Sequence, residues 1–492
     1  MKTNHHTLKK TVGCCLAFLL FFSSSAFSQP SLSLKECIEL ARKSGPNAMI
    51  ARSLHRSKTF IFKSFNSSLF PQLLLSGTIP DYERAINPVL QNNGTTEYIA
   101  QSQSNSSLAL FITQPLELTG GSLFISSSLS RTDLFGNEHS IFWRASPLVV
   151  GIRQPLFQLN TLWWDNKSNE LQYEESEKKY LENLEDAAIE ATRNFFDVYV
   201  AQMRLNNADL NVSINDTLLT ISRGRYEVGK IDENDLLQSE LALANAKTQL
   251  SSANLDYKIA LRSLATTIGK EDHEVTGIIP PEELPIVNVS MVVAIEQARK
   301  NRSDLVSYEL QKHIAERNLR TQELSNGFNA TITASFGLNQ TATELNTVYH
   351  NPLDQQAARL DFSVPLFQWG KGSSAIAAAR EELDRSETSV KLQQRNFDHD
   401  VEAQVERFLQ NQQQLTLSLK ADTIAQKQYL LAKNRYLIGR YDVTKLLLSQ
   451  DAKDRARESL IITEQNYWLS YYRLRRLTLY DFETSQLIRY EN

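Results

Sequence analysis

The chain repeats itself, and the repeat constrains its fold more than any other feature. Ile38-Glu39-Leu40-Ala41-Arg42-Lys43 returns as Ile295-Glu296-Gln297-Ala298-Arg299-Lys300, 257 residues later. Gln154-Pro155-Leu156-Phe157-Gln158 returns as Val364-Pro365-Leu366-Phe367-Gln368, and Arg225-Tyr226-Glu227-Val228-Gly229-Lys230 as Arg435-Tyr436-Leu437-Ile438-Gly439-Arg440, both at an offset of 210. Three matches in one order mark a duplicated unit. The two offsets differ by 47, so the first copy is longer by that much, and the excess lies between Phe70 and Gln154. The copies join at residues 271–290, where Pro280, Pro281 and Pro285 forbid a continuing helix.

Each copy holds very long helices. Gly (17) and Pro (13) are scarce in 492 residues, so turns are few and the elements between them long. From Leu184 the seam positions run Ala188, Ala191, Phe195, Val198, Gln202, Leu205, Asp209 and Val212, alternating steps of four and three as in a coiled coil. No proline interrupts Asn160–Lys230, which predicts a helix of about 65 residues, or about 100 Å at 1.5 Å per residue. A partner helix follows Gly229, with Leu237, Leu241, Ala244, Ser251 and Leu255 toward its mate. The second copy repeats the pair over 373–438 and 443–480, with Val390, Phe397, Val401, Phe408 and Leu415 on its seam. Small and polar seam residues suit a packed wall that also faces water.

The strands have a different period. Phe328, Ala330, Ile332, Ala334, Phe336 and Leu338 fall on one face, with Asn329, Thr331, Thr333, Ser335, Gly337 and Asn339 on the other. That run is as long as the ~9–11 residues a transmembrane strand needs. Leu360, Phe362, Val364 and Leu366 alternate against Arg359, Asp361, Ser363 and Pro365. Leu73, Leu75, Gly77 and Ile79, then Leu148, Val150 and Ile152, do the same less cleanly. The expected strands are 71–79, 146–154, 328–338 and 358–366. A soluble sandwich gives the same alternation, but a lone hairpin per copy makes no independent soluble sheet, whereas several copies closing into a barrel abolish their edges. Trp143, Trp163, Trp164 and Trp369 flank these segments and suit an interfacial girdle and ordinary packing equally well.

The mean hydropathy of −0.34 excludes a bundle of transmembrane helices. The one apolar run, Val12–Phe22, is about half the ~20 residues a spanning helix needs. It reads instead as the core of an export signal, residues 1–28. Lys2, Lys9 and Lys10 precede it, and Ala26-Phe27-Ser28 offers small residues before a cut between Ser28 and Gln29. The apolar run follows Cys14, which argues against acylation there. Removing 1–28 takes three of the 52 basic residues and no acid, leaving 49 against 56, a net charge of −7. Cys37 then remains alone, so no intrachain disulfide is expected. This balance offers nucleic acid no basic surface.

Enzyme chemistry finds no footing in these residues. Past the signal, His55, His139, His273, His313, His350 and His399 never fall at metal-ligand spacing on one element. There is no P-loop, GxSxG or GxGxxG. No catalytic, cofactor or metal residue is assigned, and lone acids such as Asp361 and Asp398 read as solvated or lumen-facing groups.

Signal, duplication, one strand pair per copy and helices of about 100 Å together resemble the TolC family of outer-membrane efflux proteins, over about 32–480. The most specific element is Arg-Tyr-x-x-Gly-x6-Leu-Leu, here Arg225, Tyr226, Gly229, Leu236 and Leu237, and again Arg435, Tyr436, Gly439, Leu446 and Leu447. The resemblance implies a mainly α fold with β strands. Three protomers would share a transmembrane β-barrel and a periplasmic α-helical barrel, in contact with outer-membrane lipid. It also implies a periplasmic adaptor on the helical tips, an inner-membrane pump behind it, and passive efflux or type I secretion with no cofactor. Within that frame the copies divide as follows. The first, 29–270, has helices 34–66, a β segment 71–157 and a long helical hairpin 160–269. The second, 291–482, has helices 291–325, a β segment 328–367 and a hairpin 373–480, with a tail at 483–492.

Two departures from the family pattern bear on function. The family's acidic constriction on the second tip is replaced by Lys445 and Leu448, while Asp235 stands at the corresponding first-copy site, 210 earlier. Their opposite signs suggest a salt bridge between neighbouring hairpins as the gate. Val228 and Ile438, beside the tip glycines, are apolar residues that an adaptor hairpin would cover, although a capped turn with local packing reads the same. The excess 47 residues hold Thr119-Gly120-Gly121 between strand-like Ser106–Thr113 and Ser122–Arg131, which fits an added hairpin or a strand extension. The contrasting function is a periplasmic coiled-coil adaptor or structural trimer that never enters a membrane. An adaptor carries one hairpin without duplication, and it is recovered without detergent.

Overall fold

The structure, a computed structural model, describes residues 31–490 apart from 91–93, 136–138, 272–274, 282–286, 439 and 442. The expected signal with its Ser28–Gln29 cut, part of the proline linker, and Gly439 lie outside the described residues. Strand β1 (Ser31–Leu32) leads into helices α1 (Leu34–Ser44) and α2 (Pro46–Ser68). Strands β2 (Gln72–Leu90), β3 (Thr96–Leu116), β4 (Gly121–Phe135) and β5 (Ser140–Leu156) follow, then helices α3 (Thr161–Glu227) and α4 (Glu233–Ile268). Past β6 (Gly277–Ile278) come α5 (Met291–Asn301), α6 (Ser303–Ser325), β7 (Asn329–Ala342), β8 (Leu353–Ser363), α7 (Lys371–Leu437) and α8 (Val443–Thr478). Two short strands, β9 (Tyr480–Asp481) and β10 (Gln486–Leu487), end the order.

Duplication is legible in the helix lengths. α1 and α5 have 11 residues each, α2 and α6 23, α3 and α7 67, and α4 and α8 36. The copies differ in their strands: four long strands lie in the first and two in the second. The chain groups into two compact units that cut across the repeat. One comprises Met1–Ala48, Ala187–Ile286 and Asn411–Leu469; the other Met49–Asp186, Val287–Gln410 and Ser470–Asn492.

In the first unit α1 is started by a capping box: Glu36 N–H donates to Ser33 Oγ, and Glu36 Oε2 accepts from Ser33 N–H at 2.8 Å. Its far end meets the far end of α4. Ser44 Oγ donates to the Ile268 carbonyl at 3.1 Å, and Gly269 closes α4 in the left-handed conformation at φ 72°. A Cβ on Gly269 would stand 2.2 Å from the Ser44 carbonyl oxygen. Cys37, Phe195, Phe196, Leu264 and Ile268 are fully buried here, and burial pushes the Cys37 thiol up to about 12.

The coiled-coil seam of α3 is buried from Leu184 through Val198, half-buried at Gln202, Leu205 and Val212, and exposed at Asp209. All five expected seam residues of α7 are buried. α4 differs from expectation. Leu237, Leu241 and Leu255 are exposed, Leu241 by 62%, while Leu243 and Ala246 are buried. Helices that approach closely prefer a small contact residue such as Ala246. The leucine row is two positions round the helix, about 200° away at 100° per residue, and so points from the contact.

The second unit holds a six-stranded antiparallel sheet in the order β2-β3-β4-β5-β7-β8. Its register fixes two faces, since directly paired residues share a side. Thr113 pairs with Gln72 and Phe124, Ser122 with Arg153, Arg153 with Thr333, and Thr333 with Arg359. Phe111, Thr113, Ser122, Phe124, Arg153, Thr331, Thr333, Arg359 and Asp361 line one hollow, so this mainly polar face is concave. The other face carries Leu73 and Leu75, Leu110, Leu123 and Ile125, Leu148 and Val150, Ile332 and Phe336, and Leu360 and Phe362, all exposed.

The four expected strands fall on β2, β5, β7 and β8, and the undecided excess is resolved as an added hairpin, β3–β4, inserted between β2 and β5. β8 ends at Ser363, so Val364 and Leu366 lie outside it; Pro365 between them has no N–H for a ladder. No helix among the described residues is long and apolar enough to cross a membrane.

Candidate functional site

The tip of the first hairpin is closed by backbone geometry. The N–H of Lys230 donates to the Arg225 carbonyl at 2.9 Å and that of Gly229 to Tyr226 at 2.8 Å, with Gly229 at φ 72°. This is the Schellman closure, which glycine makes at little cost because it lacks a Cβ. α4 then starts on Asp232, whose side chain accepts the Asp235 N–H at 2.9 Å. At the second tip the Arg440 N–H donates to the Arg435 carbonyl at 2.9 Å and the Tyr441 N–H to the same carbonyl at 3.3 Å.

The side chains at these turns face outward. Val228 is 67% and Ile438 66% exposed; Tyr226 and Leu237 are exposed, and Leu236, Leu446 and Leu447 half-buried. Tyr436 lies in the last turn of α7. The second tip has a cluster that sequence reading missed. Arg435 Nη1 donates to the Tyr441 hydroxyl at 2.6 Å with its guanidinium 5.2 Å from that ring, and Lys445 Nζ is 5.3 Å from the same ring. The first copy has Ile231 at the Tyr441 position, 210 earlier, so this aromatic clamp exists on one tip only. The structure thus brings Arg435, Tyr441 and Lys445 together. Asp235 is on the other hairpin, with Asp232 as its neighbour.

Above the tips a polar row joins α3 to α8. Asn211 accepts from Gln450 at 2.9 Å, Arg204 pairs with Glu458, and Asp197 accepts from Gln465 at 3.1 Å. Within this row Arg457 Nη2 donates to the Tyr199 hydroxyl at 2.9 Å and Nη1 lies 3.4 Å from Asp422 Oδ2, which also accepts from Gln426 at 2.9 Å. Arg457 therefore ties α3, α7 and α8 at one point. Beside it Glu464 is raised to about 6, chiefly by burial; Asp422 adds to the rise and Arg457 opposes it. None of these partners was legible in sequence, because Tyr199 and Arg457 are 258 residues apart.

No group of three or more His, Cys, Asp or Glu fit to hold a metal occurs among the described residues. What the described residues offer is two helical turns with exposed apolar side chains and a sheet with one mainly polar and one apolar face.

Comparison with known proteins gives the same picture. The CmeC outer membrane channel of Campylobacter jejuni is similar in fold, with a TM-score of 0.66 at 13% identity over 93% of this chain and 87% of that one. The toxin and drug export protein A of Aggregatibacter actinomycetemcomitans is 21% identical over 304 residues, 59% of this chain. An uncharacterized protein of Haemophilus influenzae is 32% identical over 117 residues, 22% of this chain. The matched stretches span 64% and 26% of those two relatives. The model of the outer membrane efflux protein family matches residues 67–270 and 294–478, each stretch lying within one copy of the repeat. The chain belongs to the outer membrane efflux protein family.

Proposed function

We propose that this protein is the exit duct of a tripartite efflux or type I secretion system, a passive conduit and not an enzyme, from the periplasm to the outside. The observation that carries this reading is the six-stranded sheet with an exposed apolar outer face and a polar concave face. Such a sheet cannot end in lipid with open edges, so copies of the chain close it into a barrel. Three copies are the assembly, with the helices forming the periplasmic part. The exposed leucine row of α4 is a face that neighbouring copies cover.

The hairpin tips dock a periplasmic adaptor, itself coupled to an inner-membrane pump. Arg225, Tyr226, Val228, Gly229, Leu236 and Leu237 form one docking surface. Arg435, Tyr436, Ile438, Gly439, Leu446 and Leu447 form its repeat. Val228 and Ile438 are the apolar anchors, and a solvated turn gains nothing from exposing them. Asp235 and Lys445 act as the gate between neighbouring hairpins. The cargo is set by the pump, and the Aggregatibacter relative, a toxin and drug export protein by name, spans both cargo classes.

The test is detergent extraction followed by planar-bilayer recording, with the tip variants Val228→Asp and Ile438→Asp assayed for adaptor co-purification. Channels in the bilayer together with loss of adaptor from the tip variants support the proposal. A protein recovered without detergent that conducts nothing refutes it.

A further inference from the structure

We propose that the inserted β3–β4 hairpin makes this duct an eighteen-stranded barrel, with an uncharged stretch of inner wall from each copy, wide enough for a polypeptide cargo. This inference rests on the trimeric duct reading above and deepens it.

The sheet is open at both ends. β2 and β8 are its edges, every residue of β8 is exposed, and so is β2 from Gln72 through Arg84. Six strands are too few to close alone, since the smallest membrane barrels have about eight. The occupant of each edge is therefore a further copy of this chain. The strand count permits it: all neighbours in the sheet are antiparallel, and with six strands β8 runs opposite to β2. β8 of one copy thus meets β2 of the next as an antiparallel pair, and the pattern continues unbroken round the ring.

Three copies of six strands make eighteen, against the twelve that one hairpin per repeat would give. Strands about 4.8 Å apart, tilted by about 40°, set a backbone diameter of about 36 Å for eighteen and about 24 Å for twelve. Barrels of about 16–18 strands leave an aqueous channel.

The added wall also has its own chemistry. On the concave side β3 presents Gln103, Asn105 and Ser107, and β4 presents Ser128, Ser130 and Thr132. Thr132 Oγ1 donates to Asn105 Oδ1 at 2.9 Å, which places both side chains on one surface. This face of the hairpin carries no charge between Gln101 and Thr113 or between Ser122 and Thr132, whereas Arg153, Arg359 and Asp361 stand on the other strands. Hydroxyls and amides hold water without a fixed sign, so neither acidic nor basic segments of a polypeptide are trapped against them.

The test is thiol labelling from outside intact cells, using a small charged maleimide and a maleimide on a long polyethylene glycol. Ser107→Cys reports the concave face and Leu108→Cys, next in sequence, the outer face; the native Cys37 is fully buried. Labelling of Ser107→Cys by both reagents, with Leu108→Cys labelled by neither, is the expected result. Small-reagent labelling alone overturns the wide barrel and leaves the duct standing. Equal labelling of the two cysteines, or none at either, overturns the duct reading itself. An electron cryomicroscopy reconstruction of the unmodified detergent-extracted protein counts the strands independently: eighteen supports the inference and twelve overturns it.

Discussion

The backbone N–H of Lys230 donates to the carbonyl of Arg225 at 2.9 Å, and 210 residues later Arg440 donates to Arg435 at the same distance. One closing bond of the helical turn-back is therefore repeated in both copies. Gly229 enables the first of these closures, and its Cβ position is empty to 4 Å. Gly229→Ala thus costs only the left-handed conformation, about 1–2 kcal/mol. Gly269 has the same φ, but its Cβ would stand 2.2 Å from the Ser44 carbonyl oxygen. Gly269→Ala is expected to lower the melting temperature distinctly more than Gly229→Ala. Equal shifts would show that the α1–α4 junction yields freely.

Ile332 and Thr333 are neighbours on β7 with opposite facings, Ile332 outward and Thr333 beside Arg359 in the hollow. Ile332→Arg should cost about 2–4 kcal/mol at mid-bilayer and Thr333→Arg much less. The yield of assembled protein in outer-membrane fractions reads the difference. Equal yields would contradict the facing assigned to the whole sheet.

Glu464 gives a pH dependence with a defined sign. Burial raises its carboxyl from 4.5 to about 6, so the protonated form is the one the fold favours. Its contribution to stability is complete below about pH 4.5 and is lost as pH rises through about 6. Arg457, Asp422 and Tyr199 face it from α8, α7 and α3. Since part of the group remains solvated, the effect is about 1 kcal/mol after screening. Glu464→Gln should raise the melting temperature at pH 8 and match the parent at pH 4.5. A pH-independent difference would rule out titration as its origin.

The proposed gate predicts a charge-reversal pattern. Lys445→Glu should raise single-channel conductance in a planar bilayer, and adding Asp235→Lys should restore the closed level. Exposed pairs contribute only ~0.2–1 kcal/mol, so the pair biases closure without locking it. Lys445 also leans on Tyr441, so Tyr441→Leu serves as the control for loss of that contact. A double variant that stays open removes Asp235 from the gate.

What the sequence disclosed follows from the range of each signal. The α3 seam from Leu184 to Val198 and the alternation over Ala330–Leu338 are local periodicities, and both are realised in the structure. The added hairpin stayed undecided because β4 reads Ser126, Ser127, Ser128: serine on both faces erases the contrast that alternation needs. The α4 leucines misled because a spacing identifies an apolar row without saying what covers it. The Tyr199–Arg457–Asp422 tie and the Arg435–Tyr441–Lys445 clamp depend on how helices meet, which no single-helix pattern encodes. Of the site, the Gly229 turn was readable directly, since a Schellman turn is local.

The central claim is that copies of this chain complete one another's open sheet across the outer membrane. The most direct measurement is the mass of the protein extracted by detergent from purified outer membranes, determined by light scattering with the detergent contribution subtracted. The account predicts three chains per particle. A single-chain particle, or a protein found in the soluble fraction without detergent, would contradict it.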